Sequence, residues 1–384
     1  MTPDTMDFSL RDHQKLIRDT VRQFMETEVR PLVKELEREE KFPLEIIKKL
    51  GEMGCCGMLV PEEWGGPGLD TVSYVLMIEE VARVYTAMST ALGVTNSAVQ
   101  APLPQFGTEV QKQKYLKRLA SGEILGSFCL TEAAAGSDAA GLQATATKRG
   151  SCYFLSGAKT WVTNGSDAGV YIVFAKTDPA AGGKGITAFL VEPSFKGFKI
   201  GRHEDKMGQL SSPSVEILLN DCEVTAENRI GQEGEGLKIA LTALDGGRIG
   251  IAAQAVGLAQ GALDDSIKYA KQRRAFGKSI GEFQAIQWML ADMQTEIEAA
   301  RSLLYYAAWL KDSGKQMGPA SSKAKLYASE MANRVAYKAV QIHGSLGYSR
   351  ETDDERMYRD ARVITINEGT SEVQRMIIAR ELLK

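Results

Sequence analysis

Cysteine is scarce in this chain of 384 residues, which has five cysteines, two of them adjacent at Cys55 and Cys56. Their spacing matches neither a disulfide framework nor a metal-binding pattern. Histidine is rarer still, with only His13, His203 and His343. These three lie far apart in the sequence, with no nucleophile or metal partner beside them. We therefore predict reduced cysteines, no metal site and no catalysis by histidine.

The sequence also lacks long apolar runs and a surplus of charge of one sign. No run reaches the roughly 18 residues that cross a bilayer, and the start MTPDTMDFSL has no features of a signal peptide. A net charge of -3 does not suit electrostatic binding of DNA or RNA. We expect no membrane insertion and no nucleic-acid partner. The expected compartment is the cytoplasm for a bacterial chain, or the mitochondrial matrix for a mature eukaryotic chain.

Familiar nucleotide-binding and hydrolase motifs are missing or misplaced. The chain contains neither GxGxxG after a predicted strand nor GxxxxGK[ST], so it predicts neither a Rossmann nor a P-loop site. Residues 277–281, GKSIG, match G-x-S-x-G, but that motif follows a strand, whereas the preceding residues here are helical and charged. A serine hydrolase is therefore disfavoured.

The hydrophobic periodicity divides the chain into three segments. Residues 1–125 show helical spacing, for example at Leu16, Ile17 and Val21. Residues 126–230 contain short β-branched or aromatic runs separated by turn residues. Residues 231–384 return to helical spacing with short connections that contain glycine. The predicted class is α+β, with an N-terminal helical domain, a central β barrel or sandwich and a C-terminal four-helix bundle.

Local signals mark several helix starts. Ser9 with Asp12, and Thr108 with Gln111, match the capping-box pattern. A further helical pattern resumes at Asp70.

The most informative stretch is residues 358–374, YRDARVITINEGTSEVQ. An alternating apolar run at 363–366 leads into Glu368 and Gly369, and a helical pattern then begins, with Thr370 or Ser371 as its N-cap. Glu368 is thus predicted at a junction and not on a helix face. Such a carboxylate can be held in an apolar pocket while the glycine lets the backbone approach a ligand. The alternative is a solvated glutamate that favours a helix N-terminus.

Two other stretches suit ligand binding. FCLTEAAAGSD at 128–138 places hydroxyl groups around Gly136, which suits a phosphate or an isoalloxazine edge. Trp161 and Thr163 alternate along a predicted strand, so both can face one ligand. Taken alone, such stretches are more often a capped turn or a core tryptophan than a ligand site.

Seven blocks together resemble the acyl-CoA dehydrogenase family over essentially the whole chain. They are FCLTEAAAGSD (128–138), WVTNG (161–165), EDKMG (204–208), LDGGRIGIAAQAVGLAQGAL (244–263), QRRAFGKSIGEFQAIQ (272–287), QIHGSLGY (341–348) and YRDARVITINEGTSEVQ (358–374). The resemblance implies the same helix, sheet and helix architecture in a homotetramer that binds FAD between subunits.

The implied reaction is α,β-dehydrogenation of an acyl-CoA thioester to trans-2-enoyl-CoA. Glu368 occupies the position of the base that removes the pro-R α-proton, while the β-hydrogen leaves as hydride to flavin N5. Electrons then pass to an electron-transferring flavoprotein. Burial is expected to bring the pKa of Glu368 to roughly 6–7. The thioester oxygen is expected to accept hydrogen bonds from the Glu368 N–H and from a flavin ribityl hydroxyl.

The resemblance also implies roles for other residues. Flavin contacts are Phe128, Leu130, Thr131, Ser137, Trp161 and Thr163, completed by Thr370 and Gln374. Contacts with the FAD of a neighbouring subunit are Arg273, at the pyrophosphate, Phe276 and Gln284, and a further contact on the adenosine side of FAD is formed by Gln341, Gly344 and Gly347. Substrate contacts are Ser137, Asp245, Arg248, Asn367 and Gly369, with Asp245 and Arg248 at the pantetheine and acyl entrance.

Some positions depart from the family pattern, and others limit which residue is the base and which substrates fit. Asn367 replaces a common tyrosine, and His343 and Ser345 stand where phenylalanine or leucine and glycine are more usual. Residues 248–254 contain no carboxylate, which favours Glu368 as the base, and residues 86–100 contain no arginine, which favours an uncharged acyl chain. The alternatives are an acyl-CoA oxidase or nitroalkane-oxidase-like enzyme, and a non-catalytic flavoprotein of the same fold.

Overall fold

The computed structural model describes residues 9–384. Most of the segment that bears on a signal peptide, residues 1–8, lies outside that range. The described chain contains helices, then a sheet, then helices, so the predicted order is confirmed. The proposed boundaries at 125/126 and 230/231 remain a prediction.

Residues 9–125 of the first segment contain seven α-helices. They are α1 (Asp12–Phe24), α2 (Val33–Arg38), α3 (Leu44–Glu52), α4 (Thr71–Val84), α5 (Thr86–Gly93), α6 (Leu103–Phe106) and α7 (Glu109–Ala120). A π-helical stretch, Val94–Gln100, extends α5.

Two of the predicted helix starts are observed and one is displaced. Thr108 and Gln111 form the predicted reciprocal cap, and Asp70 accepts a hydrogen bond from the Ser73 N–H at the start of α4. The Ser9 prediction was wrong in position, because α1 begins at Asp12 with Arg11 as its N-cap residue. Helix ends are often displaced in this way, since neighbouring positions compete for the same free backbone groups.

Eight strands form the sheet of the second segment. They are β1 (Leu125–Cys129), β2 (Thr145–Arg149), β3 (Cys152–Thr163), β4 (Ala168–Lys176), β5 (Ile186–Val191), β6 (Phe198–His203), β7 (Ser214–Thr225) and β8 (Arg229–Ile230). The order is β6-β7-β3-β2-β4-β5-β8, and β1 pairs with β4 in parallel.

The sheet buries different side chains on its two faces. Along β4, Tyr171 and Val173 join a cluster made wholly of sheet-segment residues, including some from β3 and β7. The alternate residues Val170 and Ile172 pack with the helical residue Leu116. Because both halves of the sheet contribute to the first cluster, the sheet bends around it, as in a sandwich or barrel.

The third segment contains three long and two short helices. They are α8 (Gly236–Gln272), α9 (Gln284–Asp312), α10 (Gly318–His343), α11 (Asp354–Ile364) and α12 (Ser371–Leu382). Two very short strands, β9 (Arg274–Ala275) and β10 (Lys278–Ser279), form a hairpin between α8 and α9. The G-x-S-x-G match falls on this hairpin, so it is no nucleophile turn.

The first and third segments share one hydrophobic core. Val21 of α1 and Val81 of α4 belong to the same cluster as Ile249 of α8, Ala328 of α10 and Ile364 of α11. Helix α4 packs directly against α8 and α9. No helix between residues 9 and 384 is both long enough and apolar enough to span a bilayer.

Candidate active site

The connection between α11 and α12 carries Glu368. The run at 363–366 is not extended: its first two residues end α11, and the Asn367 N–H donates to the Val363 carbonyl over 3.0 Å. The Ser371 N–H closes the loop on the Thr365 carbonyl, and Thr370 caps α12 by accepting from the Val373 N–H. Glu368 therefore lies at the predicted junction, and Thr370 is the N-cap.

The backbone at this junction is left-handed at two successive residues. Glu368 has φ 53° and Gly369 has φ 92°. Glycine tolerates this region, but a glutamate there is strained and persists only where its surroundings fix it. Gln374 Nε2 donates to both carbonyls, over 3.3 and 2.9 Å, and Lys325 Nζ donates to the Gly369 carbonyl over 2.7 Å. Two side chains therefore hold the turn.

The Glu368 carboxylate lies against the backbone of α8. A Cβ added to Gly247 would overlap Glu368 Oε2, so only glycine leaves room for the carboxylate. One turn further along the same face, Gly250 makes room for the Tyr74 hydroxyl in the same way. Within residues 9–384, neither Oε2 nor the Tyr74 hydroxyl has a hydrogen-bond partner, and both are buried.

This environment changes the acidity of Glu368. Burial raises its pKa to about 7, opposed by the positive charges of Arg248 and then Lys325. A carboxyl group with this pKa is about half ionised at neutral pH, which suits proton transfer. Arg248 is itself buried on α8 and pairs with Asp245. Arg248, which was predicted at the pantetheine and acyl entrance, thus lies close enough to Glu368 to affect the ionisation of its carboxyl group.

The β-segment residues with predicted flavin roles lie on β1, in the loop after it and at the end of β3. The Thr160 N–H donates to the Thr131 carbonyl over 3.0 Å, and Ser127 Oγ donates to the Thr163 carbonyl over 2.8 Å. These bonds hold the end of β1, which carries Phe128 and leads into Leu130, beside the end of β3. Ser137 is exposed in the loop after β1.

Trp161 projects into solvent from a break in the β3 pairing. The register with β7 shifts between Lys159 and Val162, and Trp161 has φ 59° with 57% of its surface exposed. Val162 is buried and Thr163 half-buried, so the predicted alternation survives in the burial. The strand itself is bulged there, which simple alternation does not predict.

A buried ion pair lies beneath these residues. Lys159 Nζ is 2.7 Å from Glu132 Oε1, and the Glu132 carboxylate also accepts hydrogen bonds from the Gln143 and Ala144 N–H groups over 2.6 and 3.0 Å. Burial alone would raise the pKa of Glu132, but Lys159 and the two amides outweigh it and lower the pKa. Glu132 therefore anchors the loop after β1 to Lys159 of β3 and to the backbone at Gln143 and Ala144.

The remaining predicted FAD contacts lie at the far end of α8. The Tyr269 ring packs against the His343 ring at a tilt of 30°, with centroids 4.3 Å apart, which brings the end of α8 against the end of α10. This end carries Arg273, Phe276 and Gln284 on one side and Gln341, Gly344 and Gly347 on the other; Phe276 is 96% exposed. From Gly247 to Arg273, 26 residues at 1.5 Å each make about 39 Å. The Arg273 group therefore lies about 39 Å along α8 from the glycine that contacts the Glu368 carboxylate.

Three residues beside Glu368 were missed by the sequence analysis: Gly247, Tyr74 and Lys325. Lys325 had a detectable signal, because a lysine on the alanine-rich face of α10, between Ala324 and Ala328, is out of place unless it has a buried partner. Gly247 and Tyr74 carry no such signal, since a glycine in a helix and a tyrosine in a core are both common.

Family models match three successive parts of the chain. The N-terminal domain of acyl-CoA dehydrogenase matches residues 11–123, the middle domain residues 127–222 and the C-terminal domain residues 234–383.

Individual proteins agree over nearly the full length. The short-chain specific acyl-CoA dehydrogenase of Clostridium acetobutylicum is 44% identical, covering 99% of this chain and 100% of the relative. The caffeyl-CoA reductase-Etf complex subunit CarC of Acetobacterium woodii is 46% identical, covering 97% and 99%. The structure of butyryl-CoA dehydrogenase from Megasphaera elsdenii superposes with a TM-score of 0.97 at 45% identity, covering 99% and 100%.

Proposed function

Because this chain belongs to the acyl-CoA dehydrogenase family, we propose that it oxidises an uncharged, short-chain acyl-CoA thioester to the trans-2-enoyl-CoA, with Glu368 as the base. The observation that carries this proposal is the Glu368 carboxylate, whose Oε2 is buried without a hydrogen-bond partner within residues 9–384 and whose pKa is raised to about 7 by burial. A base in this state removes a proton from carbon more readily than an ordinary solvated glutamate does.

The residues at the ends of β1 and β3 fit FAD. They offer an exposed indole at Trp161, hydroxyl groups at Thr131, Ser137 and Thr163, and a buried Thr160 Oγ1 that has no partner within residues 9–384. These groups suit a heteroaromatic ring that needs stacking and hydrogen bonds. FAD bound there would supply the acceptor for the hydride that leaves the β-carbon.

The backbone beside Glu368 provides a donor for the thioester oxygen. Among the described residues, the N–H of Glu368 donates no hydrogen bond, although those of Asn367 and Ser371 do. A free amide next to the base can hold the thioester carbonyl and stabilise the negative charge that develops there. Glu368 then takes the α-proton on its carboxylate. The turn that Gln374 and Lys325 hold fixes the position of the Glu368 N–H relative to this carboxylate.

The substrate class rests on the relatives and on the polar groups near the base. The relatives include proteins named for short-chain acyl-CoA and for butyryl-CoA. Tyr74 lies fully buried one turn of α8 beyond the Glu368 carboxylate, and we propose that its ring limits the length of the acyl chain. The stretch at 86–100 has no arginine to bind a distal carboxylate.

The distribution of predicted FAD contacts supports an oligomer. About 39 Å of helix separates Gly247 from Arg273, so the Arg273 group would serve the FAD of another subunit. We therefore propose a homotetramer. An electron-transferring flavoprotein is proposed as electron acceptor, because a relative that is 46% identical is named as a subunit of an Etf complex.

The test is anaerobic titration of the FAD-loaded protein with saturated acyl-CoAs. Butyryl-CoA should bleach the flavin absorbance, while a dicarboxylic acyl-CoA should not. If no thioester bleaches the flavin, the dehydrogenase proposal fails and a non-catalytic flavoprotein is favoured. Rapid reoxidation of the bleached flavin by oxygen, with formation of hydrogen peroxide, would instead indicate an acyl-CoA oxidase.

The same site also suits the reverse reaction. A pKa of about 7 leaves much of Glu368 protonated at neutral pH, so it can donate a proton as well as remove one. One relative is named as a caffeyl-CoA reductase. If reduction is the physiological direction, chemically reduced protein should be reoxidised by crotonyl-CoA faster than butyryl-CoA reduces the oxidised protein.

A further inference from the structure

Lys325 is a lysine that the fold has buried completely. It lies on α10 with 0% of its surface exposed, on the face that packs into the shared helical core. Burying an ammonium group is unfavourable unless a partner compensates. Within residues 9–384 its one hydrogen bond goes to a neutral acceptor, the Gly369 carbonyl at 2.7 Å, and no carboxylate lies within 4.0 Å. The position of Lys325 therefore calls for an explanation beyond an ordinary ion pair.

The carbonyl that Lys325 holds belongs to the strained turn. Glu368 and Gly369 are both left-handed, with φ 53° and 92°. Because a peptide unit is planar, a fixed carbonyl fixes the orientation of its whole unit. Lys325 fixes the unit after Gly369, and Gln374 also fixes the unit after Glu368. These two planes determine the backbone angles of Gly369, and the unit after Glu368, which is one of them, also borders the Cα from which the Glu368 side chain leaves the turn.

The charge of Lys325 also acts on the base. Glu368 is faced by Arg248 from α8, Lys325 from α10 and Tyr74 from α4, and both cations lower its pKa. Lys325 is faced in turn by Glu368, Arg248, Glu372 and Glu330. Burial lowers the pKa of Lys325 to about 8, and the negative charge of Glu368 opposes that shift. Around neutral pH the ammonium is therefore charged when Glu368 ionises.

We propose that Lys325 is a positioning residue for the base: it holds the Gly369 carbonyl, keeps Glu368 in the left-handed turn against Gly247, and favours the ionised carboxylate. This role rests on the proposed function only where it is measured as a rate. The conformation and the ionisation of Glu368 can both be measured without turnover.

The first experiment compares Lys325→Met and Lys325→Gln with the natural chain. Both variants remove the charge, but only glutamine retains a donor for the Gly369 carbonyl. Infrared spectra of the FAD-loaded protein are recorded against pH, and the carboxyl band of Glu368 is identified by its loss in Glu368→Gln. Because a cation is removed, this band should titrate at least about half a pH unit higher in both variants.

The second experiment follows anaerobic bleaching by butyryl-CoA in the same proteins. Lys325→Met should lower the maximal rate about tenfold to hundredfold, as expected when a catalytic group is displaced by about an ångström. Lys325→Gln should recover part of that rate but keep the shifted pH profile. The matched control is Lys311→Met, since Lys311 Nζ lies against α8 near Gly246 but makes no hydrogen bond to residues 368–370. It should keep the natural pH profile.

Two outcomes would overturn the role of Lys325. One is a folded, FAD-bound Lys325→Met whose rate and infrared titration match the natural chain. The other is a lower rate with an unchanged titration that Lys325→Gln does not restore, which would indicate a purely structural lysine. If the natural chain bleaches with no thioester, the proposed function fails, while the infrared titration still decides the role of Lys325.

Discussion

Two glutamates in this protein, Glu132 and Glu368, have opposite environments. Glu132 accepts hydrogen bonds from two backbone amides and pairs with Lys159, so its pKa is lowered. Glu368 has a buried oxygen with no partner, so its pKa is raised to about 7. The difference shows that burial does not by itself make a carboxyl group reactive. The oxygens of an anchoring carboxylate accept hydrogen bonds from protein groups. A reactive carboxylate has an oxygen without such a partner.

The largest expected effect on the rate of flavin bleaching comes from neutralising the carboxylate of Glu368. Glu368→Gln should bind FAD and acyl-CoA normally but lose at least about a thousandfold in the rate of flavin bleaching, because a glutamine cannot take up a proton. Stopped-flow absorbance with butyryl-CoA measures this rate. A rate within tenfold of the natural chain would remove Glu368 from its role as base.

The same substitution at the anchored glutamate should act on stability. Glu132→Gln leaves Lys159 without its counter-charge in a buried site and should lower the free energy of unfolding by about 3 kcal/mol. Chemical denaturation measures this change. The double variant Glu132→Gln/Lys159→Met should recover part of the loss, since no uncompensated charge remains. No recovery would mean that the two amide hydrogen bonds matter more than the ion pair.

The two glutamates should also affect stability at opposite ends of the pH range. Glu368 has a folded pKa above its unfolded value, so its favourable contribution is full below about pH 4.5 and is lost as pH rises through about 7. Glu368→Gln should therefore stabilise the fold by about 2 kcal/mol at pH 8 and not at pH 4. Glu132 has a lowered pKa, so its contribution is present above about pH 4.5 and is lost as pH falls below that. Unfolding curves at both pH values test the signs, and a destabilised Glu368→Gln at pH 8 would contradict them.

A smaller effect is expected from closing the space beside Glu368. Gly247→Ala places a methyl group where Oε2 lies, so the carboxylate must move and bleaching should slow by about tenfold. Folding should be unaffected or improved, because alanine favours a helix over glycine. Gly246→Ala is the matched control, since the nearest atom to its added Cβ is Lys311 Nζ at an ordinary 3.7 Å. Equal rates for the two variants would contradict the placement of the carboxylate.

The sequence could predict the position of Glu368 but not its surroundings. Helical patterns on both sides placed it at a junction, and a hydroxyl residue after Gly369 marked the next helix. The run at 363–366 was too short to separate a helix end from an extended segment. Gly247 and Lys325 reach Glu368 only through tertiary packing, which periodicity does not report. The motif around 128–138 drew attention to its hydroxyl groups, whereas the buried pairing of Glu132 depends on Lys159 in another strand.

The core shared by the first and third segments has a consequence for the way the chain is made. Val81 of α4 packs into a cluster with Ile249 of α8, yet the whole sheet segment lies between them in the sequence. At roughly 5–20 residues per second, a ribosome needs roughly 8–30 s to proceed from the end of α4 to the start of α8. During that interval the face of α4 that packs against α8 cannot yet be covered by α8, because α8 has not been translated. The hydrophobic cluster that contains Tyr171 and Val173 is formed wholly by residues 129–224. The sheet segment, although it is translated second, can therefore bury this cluster before the third segment has been made.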